Sequence, residues 1–530
     1  MSNLVLVGFM GSGKTSVGRA LADRLGRPFI DLDAVIAADA GLPISAIFQQ
    51  EQEAGFRARE SRCLRAVLAE DGRVVAVGGG APLDEANWQA IRAGNWVVAL
   101  TTSPAELKVR LREATDRPLL RPSVGAAIDS LLPARIGRYR EADLVVSTDG
   151  RSPAAVATAI ADALPHDGME RIAVDVHGFP HEIVVGSGLC HLLPGVLARA
   201  SVQGPVAVIT DSVVGPRHAM TVEHTLQAGG WRPHRFELAA GEAAKSLEAL
   251  NVLYQFMASA GIDRSGAVIA LGGGVVGDVA GFAAATWMRG IPYVQVPTTL
   301  LAMVDSSIGG KTAVNLPAGK NLVGAVHQPV AIICDLDYLK TLPEGEYRAA
   351  WGEIIKCAVA GDRQLFDDLR AARSAALGRE EPVVRRIVAR AAAFKARIVA
   401  EDPHDRNARA VLNYGHTVAH AMETALGYGA IRHGEAVAWG MRVAGRLSVD
   451  TGHCPPAAAQ AQDSLLQDYS LLVQPPAAPV SQLMQTIQHD KKAQDGEPRW
   501  VLLRDIGQAE YGKRVSREKV EAALTAVLAT

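Results

Sequence analysis

The sequence predicts a mixed α/β protein: a parallel-sheet α/β domain, then a second α/β domain, then a mainly helical one. Three observations carry that reading. Short β-branched runs alternate with helix-like segments in two separate stretches, the pattern of βαβ units. Each stretch has a glycine cluster directly after an apolar run: GFMGSGKT (Gly8 to Thr15) and LGGGVVGD (Leu271 to Asp278). Beyond about Asp337 the chain turns to long alanine- and arginine-rich helical segments, such as Pro382 to Ala400.

At 530 residues the chain exceeds one ordinary core, so two or three domains are expected. The first spans residues 1–165. There NLVLVGF, VVAVGG (from Val74) and WVVAL (from Trp96) are short and apolar enough for buried parallel strands. A last helix, Pro153 to Leu164, runs into a Pro/Asp/Gly cluster, and residues 166–169 are read as a linker. The pattern restarts at Met169. RIAVDV, HEIVVG, PVAVITD and AVIALGGG read as strands with helices between them, giving a domain over 170–336. A helical domain covers 337–530, with QPPAAPV (Gln474 to Val480) as an internal loop.

Bulk properties exclude several function classes. A composition 48% hydrophobic and 21% charged is that of a soluble globular protein, and a net charge of −2 argues against a nucleic-acid footprint. No apolar run reaches 18 residues, so no membrane partner is expected. Met1 leads into LVLVGF, which reads as a first strand rather than a signal peptide. Cys63, Cys190, Cys334, Cys357 and Cys454 are scattered without a CxxC, which predicts reduced thiols and a cytoplasmic location.

In GFMGSGKT, Gly11, Ser12 and Gly13 let backbone N–H groups surround phosphate oxygens without an obstructing Cβ. Lys14 reaches the β/γ-phosphates and Thr15 binds Mg²⁺. The loop implies a nucleoside triphosphate but not what receives the phosphate. Asp31 and Asp33 follow the strand-like PFI, and alternation would place both carboxylates on one side. One could support Mg²⁺ and the other a substrate hydroxyl. Gly78, Gly79 and Gly80 offer bare backbone, and Arg57, Arg117 and Arg135 supply cations.

Taken in order, the phosphate loop, DLD, FR, GGG, RPLL and R-x-x-x-Y make residues 1–165 resemble shikimate kinase, a P-loop kinase fold. The resemblance implies that Asp31 supports Mg²⁺ and that Asp33 holds and helps deprotonate the shikimate hydroxyl. Arg57, Arg135 and the Gly78–Gly80 backbone bind shikimate, and Arg117 is the lid arginine stabilising charge on the transferring phosphoryl group. One position departs from the family: Gln52 precedes Glu53 where a glycine is usual, which could alter a local turn. Gluconate and nucleoside-monophosphate kinases share the phosphate loop but would not need these carboxylate-reading arginines.

In the second stretch, LGGGVVGD permits close approach of a pyrophosphate, and Asp211 is placed to accept from ribose hydroxyls. In GHTVAH, His416 and His420 lie four apart, so spacing alone nominates both as metal ligands. Glu353 and Lys356, three apart, would share a helix face.

The run from GGGVVGD to GGKTAVN, then GKNLVGA, GEIIK, LNYGHTVAHAMETA, HGEAVA and HDKKA, makes residues 170–530 resemble 3-dehydroquinate synthase. That resemblance implies a Rossmann-like NAD-binding domain, a helical metal-binding domain, and NAD with a catalytic Zn²⁺ or Co²⁺ as cofactors. The metal ligands would be Glu353, His416 and His433, with His420 in the substrate site instead. NAD would be held by Asp211, Glu242, Lys245, Gly273, Gly274, Asp278, Thr298 and Thr299, with Lys311 and Lys320 nearby. Arg289, Lys311, Asn321, Arg409, Asn413, His420 and one of the two lysines Lys491 and Lys492 would hold the substrate, 3-deoxy-D-arabino-heptulosonate 7-phosphate. Asp305, Lys356 and Lys395 match active-site positions near its hydroxyls and the metal. Arg289 matches a residue that reaches a neighbouring subunit, which implies a homodimer.

The implied chemistry oxidises a ring hydroxyl, expels phosphate by β-elimination, returns the hydride, and closes a carbocycle by an aldol step. A related sugar-phosphate cyclase could use the same apparatus on a substrate without a carboxylate, though Lys311 and Arg409 argue for one. A metal-dependent polyol dehydrogenase would not need the phosphate set around Lys320, Asn321 and His420. A non-catalytic scaffold half is disfavoured because Lys14, Asp33, Arg117 and the three metal ligands are all present.

Overall fold

The computed structural model describes residues 3–112, 124–164, 169–176, 178–402, 408–427, 429–472, 474, 477–488 and 498–528. Four expectations fall outside these residues: the lid arginine Arg117, the linker over 166–168, and the two phosphate-site lysines, Lys491 and Lys492. By packing, the chain divides into two compact units. One comprises Met1–Pro165, Cys190–Val206 and Thr221–His234; the other comprises His166–Leu189, Ala207–Met220 and Arg235–Thr530.

The first unit is built on five strands: β1 (Leu4–Gly8), β2 (Phe29–Asp31), β3 (Val74–Ala76), β4 (Trp96–Thr101) and β5 (Leu144–Ser147). Their order is β2-β3-β1-β4-β5, and every pair is parallel. Helices cover both faces of such a sheet, so its strands read as unbroken apolar runs; all five residues of β1 are buried. The helix Lys14–Leu25 leaves the end of β1 through the glycine loop. The central strand thus delivers the loop to the carboxyl edge of the sheet, where open α/β folds bind ligands.

The second unit carries a seven-stranded sheet: β6 (Glu170–Val176), β7 (Phe179–Gly186), β8 (Val206–Asp211), β9 (Pro233–Leu238), β10 (Ala267–Gly272), β11 (Tyr293–Pro297) and β14 (Ala331–Asp335). The order is β6-β7-β14-β11-β10-β8-β9. Between β11 and β14 the chain makes a separate antiparallel hairpin, β12 (Lys311–Leu316) and β13 (Gly319–Val326). Strand–helix alternation fails at the start of this unit. β6 and β7 pair antiparallel, because only two residues separate them and no helix fits in that gap.

After β14 the chain is mostly helical, and the segment expected from Pro382 to Ala400 is the helix Glu381–Glu401. Two further strands, β15 (Trp500–Asp505) and β16 (Gln508–Lys513), form a hairpin inside this region. The helical part has one apolar cluster of its own, which includes Val418, Trp439, Leu483 and Trp500, and shares another with the sheet. Tyr347, Trp351, Ile354 and Val399 pack in one apolar cluster with Ile183, Val185, Ile332 and Cys334 of the sheet. Among the described residues no single helix is long and apolar enough to cross a membrane.

Candidate active sites

In the first unit, the loop and the carboxyl edge of the sheet enclose a cavity of about 610 Å³ lined by Met10–Val17, Asp31, Asp33 and Gly79. Lys14 Nζ donates to the carbonyls of Gly8 and Phe9 at 2.9 and 3.1 Å, which holds the ammonium over the loop. Thr15 Oγ1 donates to Asp31 Oδ2 at 2.8 Å. Both acids reach the cavity, as expected, but not by strand alternation. Asp31 ends β2 and caps the helix Leu32–Ala40, its Oδ1 accepting from Asp33 N at 3.1 Å, so Asp33 sits in a first helical turn.

The arginines expected to read a carboxylate are fixed by named partners. Arg57 Nη1 donates to Glu60 Oε2 at 2.6 Å and Nη2 to Glu53 Oε1 at 3.4 Å. Arg135, only 5% exposed, reaches the Gly79 carbonyl at 3.4 Å and lies over the Phe9 ring. Sequence reasoning missed Glu60, which is 1% exposed. Burial pushes its carboxyl up, and Arg57 opposes that. The signal was present as an Arg/Glu pair three apart in FRARE. Arg110, Thr148, Arg151, Pro153 and Val156, also missed, line the remaining cavity wall. Arg110 donates to the Thr148 carbonyl at 2.9 Å, a contact across 38 residues that no local pattern announces.

Gln52 interrupts the helix Ile44–Leu68 with φ 59° and ψ −179°. The bend of a glycine is therefore kept with a glutamine in it.

In the second unit, β10 ends at Gly272 and the helix Gly274–Thr286 starts at once. Its first N–H groups are the anion-binding end of a helix at the carboxyl edge of a sheet. Thr298 N donates to the Gly272 carbonyl, and Thr299 packs on Gly273, so these residues adjoin the turn. Lys245 Nζ pairs with Asp278 Oδ2 at 2.6 Å. Burial pushes the Asp278 carboxyl up to about 6 against the attraction of Lys245. Lys320 Nζ lies 3.6 Å from Glu242 Oε1. Asp211, at the end of β8, accepts from Val213 N and Val214 N through Oδ1.

Three helices meet at the candidate metal centre. Glu353 comes from Glu344–Gly361, His416 begins His416–Leu426, and His433 begins His433–Asp450. One ligand atom from each lies within 4.8 Å of the others. Glu353 Oε1 is buried without a hydrogen-bond partner, with the Nε2 atoms of His416 and His433 at 3.3 and 3.4 Å. One carboxylate and two imidazoles around an unpartnered oxygen fit a divalent cation such as zinc. The other imidazole nitrogens are engaged: His416 Nδ1 is 3.3 Å from the Tyr414 carbonyl, and His433 Nδ1 is 3.1 Å from Glu423 Oε1. Glu423 was not foreseen.

These helices approach closely because glycines flank the ligands. A Cβ on Gly434 would lie 1.8 Å from the Ala349 carbonyl oxygen, and one on Gly352 would lie 2.2 Å from that of Gly434. Gly440 meets the Gly415 carbonyl oxygen in the same way, at 2.0 Å from a built Cβ.

Charge around the centre is balanced. Burial alone would raise the Glu353 carboxyl, but Lys356 and His416 outweigh it and hold it well below the carboxylate range. Lys356 Nζ bonds Glu353 Oε2, and Lys395 Nζ bonds Asp305 Oδ1 at 2.5 Å. His420 stands beside the triad, its ring centroid 5.4 Å from that of His416 and 6.4 Å from that of His433. Helical spacing alone would have made it a ligand. Arg409 is 5% exposed, with its N–H on Asp402 Oδ2 at 3.2 Å, and Asn413 ends the short helical turn Ala408–Asn413. Lys311 is exposed at the start of β12. Arg289 lies in the turn after Thr286 with φ 70°, and among the described residues its side chain has no hydrogen-bond or ion-pair partner. Lys491 and Lys492, expected at the substrate phosphate, lie outside the described residues.

Comparison with known proteins follows this division. The family model of shikimate kinase matches residues 10–165. The models of 3-dehydroquinate synthase N-terminal and C-terminal match residues 235–349 and 350–493. A 3-dehydroquinate synthase from Geobacter metallireducens is 44% identical over 342 residues, covering 64% of this chain and 94% of the relative. Two solved structures share the fold of the second unit. One is a 2-deoxy-scyllo-inosose synthase complexed with carbaglucose-6-phosphate, NAD⁺ and Co²⁺ (25% identity, TM-score 0.60, 67% of this chain and 99% of that one). The other is the 2-epi-5-epi-valiolone synthase of Streptomyces hygroscopicus with NAD⁺ and Zn²⁺ (28%, TM-score 0.60, 66% and 96%).

Proposed function

We infer the residue chemistry from one premise: the chain belongs to the 3-dehydroquinate synthase family, carries a shikimate kinase domain ahead of the synthase, and is a bifunctional enzyme of the shikimate pathway. The kinase transfers the γ-phosphoryl group of ATP to the 3-hydroxyl of shikimate. The synthase converts 3-deoxy-D-arabino-heptulosonate 7-phosphate to 3-dehydroquinate and phosphate.

In the kinase, the Gly11–Gly13 N–H groups and Lys14 hold the β/γ-phosphates, and Thr15 with Asp31 takes the Mg²⁺ that accompanies ATP. Their 2.8 Å contact supports this pairing. Asp33 accepts the hydroxyl proton of shikimate. Arg57, Arg135 and the Gly78–Gly80 backbone hold its ring and carboxylate, with Glu60 keeping Arg57 aimed at the site. The wall formed by Arg110, Pro153 and Val156 is left for the nucleotide base and ribose. Arg117 completes charge stabilisation on the transferred group.

In the synthase, Glu353, His416 and His433 would hold the metal, and the helix Gly274–Thr286 with Glu242, Lys245 and Asp278 would hold NAD. When bound, NAD takes and returns a hydride while the divalent metal polarises the substrate oxygen concerned. The Glu423 carboxylate and the Tyr414 carbonyl orient the two imidazoles so that each presents Nε2. Lys356 neutralises the second oxygen of Glu353, and Asp305 with Lys395 lies next to the substrate hydroxyls. Arg409 reads the substrate carboxylate. Lys311 stands with Arg409 on the carboxylate side, while Lys320, Asn321 and His420, with either Lys491 or Lys492, hold the phosphate and stabilise the charge that leaves with it. Asn413 adds an amide to the same site. The chain works as a homodimer through the synthase part, with Arg289 turned to the partner. It works in the cytoplasm, in keeping with five cysteines that form no disulfide.

The observation that carries the synthase reading is the unpartnered Glu353 oxygen between two imidazoles. Likeness at 44% to a 3-dehydroquinate synthase, against 25–28% to the sister cyclases, supports the carboxylate-bearing substrate. The test is phosphate release from the heptulosonate phosphate with NAD, with and without chelator, while identifying the carbon product. Metal-dependent release with 3-dehydroquinate formed supports the reading. Turnover only of a sugar phosphate lacking a carboxylate would replace it with a sister cyclase.

A further inference from the structure

Three distant stretches meet beside the synthase site: the loop Gly241–Lys245, the start of the helix Gly274–Thr286, and the β12–β13 hairpin. One side chain without an assigned role ties them. Asn315 sits at an irregularity in the hairpin ladder, between the paired residues Val314 and Leu316. Its backbone N–H donates to the Lys245 carbonyl at 2.8 Å. Its Nδ2 donates to Glu242 Oε1 at 2.9 Å, and its Oδ1 accepts from Asn321 N at 2.9 Å. Lys245 closes the ring, with Nζ on Asn321 Oδ1 at 2.5 Å and on Asp278 Oδ2 at 2.6 Å. Asn321 has φ 54°, a left-handed conformation that a hydrogen bond to its N–H helps to hold.

We propose that Asn315 is a positioning residue that couples the dinucleotide and phosphate subsites of the synthase. The inference rests on the assignment above of Glu242, Lys245 and Asp278 to NAD and of Asn321 to the phosphate-bearing substrate. A carboxamide suits this place because it donates at one end and accepts at the other. A dinucleotide that fixes Glu242 and Lys245 fixes Asn315 from two directions, and Asn315 then fixes the Asn321 N–H. The ordering cost is incurred once for both ligands, so each binds more tightly in the presence of the other, by the same factor.

The test is calorimetric titration of NAD into the metal-loaded full chain, with and without saturating inorganic phosphate, for the native protein, Asn315→Ala and Asn315→Asp. Because NAD affinity is read, phosphate held in the kinase loop does not enter the result. Phosphate is expected to tighten NAD binding by about 5- to 20-fold in the native chain. The factor falls to near one in Asn315→Ala. Asn315→Asp keeps the acceptor for Asn321, loses the donor to Glu242, and lies between. An equal factor in the native protein and Asn315→Ala overturns the proposal, since a merely structural residue would shift both titrations in parallel. Independent binding in a native chain that still takes up NAD also overturns it, alone. A native chain that does not bind NAD sinks the cofactor assignment and this inference together.

Discussion

Gln52 holds a backbone conformation that belongs to glycine: φ 59° and ψ −179° cost a residue with a Cβ about 1–3 kcal/mol. Neighbouring ion pairs over-determine the bend. Arg59, beyond it, holds Glu51, before it, at 2.5 Å and Asp39 at 2.5 Å. Gln52→Gly should therefore raise the stability of the kinase transition by about 1–2 kcal/mol, while Gln52→Ala should not. Equal thermal shifts for the two variants would sink the argument. Asp278 offers a second test, with a sign that can be worked out. Its carboxyl rises from 3.8 to about 6 on folding, so the folded protein holds that proton more tightly than the unfolded chain. Its contribution to stability is then fully present below the unfolded value and is lost as pH rises toward 6. In NAD-free protein, Asp278→Asn should flatten the fall of the synthase urea midpoint between about pH 4 and 6, whatever its absolute effect through Lys245. Parallel native and variant curves would count against it. Such residues mark the limit of sequence reading: Lys14, Asp33 and His416 stand in long motifs, whereas Glu423 and Asn315 gain their roles only from partners that folding brings to them.

At the scale of elements, the metal centre depends on how closely three helices approach. Gly434 follows the ligand His433, and Gly352 precedes the ligand Glu353; the two glycines lie at one helix crossing. Gly415 precedes His416 and meets Gly440 at another. A methyl group on Gly434 would meet the Ala349 carbonyl oxygen at 1.8 Å, which backbone cannot accommodate without moving the helix. Gly434→Ala should cost about 1–3 kcal/mol by overpacking. It should also weaken zinc binding by about tenfold or more, as loss of ligand orientation does. Competition against a chromophoric chelator, on protein shown to be folded by circular dichroism, measures this. Unchanged zinc affinity in a folded variant would mean that the crossings do not set the triad. The sequence reading found the long helix at Glu381–Glu401 and the buried strands β1, β8 and β10, because their apolar runs are long or flanked by glycine. It missed the β6–β7 pairing, which only the two-residue gap betrayed. It also missed β15 and β16, a short hairpin inside a stretch otherwise helical in composition.

For the whole molecule, the question is whether joining two enzymes changes either. Every described residue of the kinase cavity comes from Met10 to Val156 in the first unit. The metal triad and the Lys245–Asp278–Asn321 network come from the second unit. The two sites share no residue, and the product of the synthase is not the substrate of the kinase, so chemistry gives no reason for handover. Their metals also differ in kind. Thr15 and Asp31 present oxygen donors to an ion that arrives with ATP, whereas Glu353, His416 and His433 make the nitrogen-containing set that zinc favours over magnesium. A zinc-selective chelator in excess Mg²⁺ should therefore abolish phosphate release from the heptulosonate phosphate and leave ATP-dependent phosphorylation of shikimate unchanged. The reciprocal pair is Lys14→Ala, which should stop only the kinase, and Glu353→Gln, which should stop only the synthase. Both rates would be followed in one sample, as ADP formed with shikimate and phosphate released with the sugar phosphate. Loss of kinase turnover on zinc removal, or a changed synthase rate in folded Lys14→Ala, would show that the units act on one another and that the fusion does more than make the two activities in equal number.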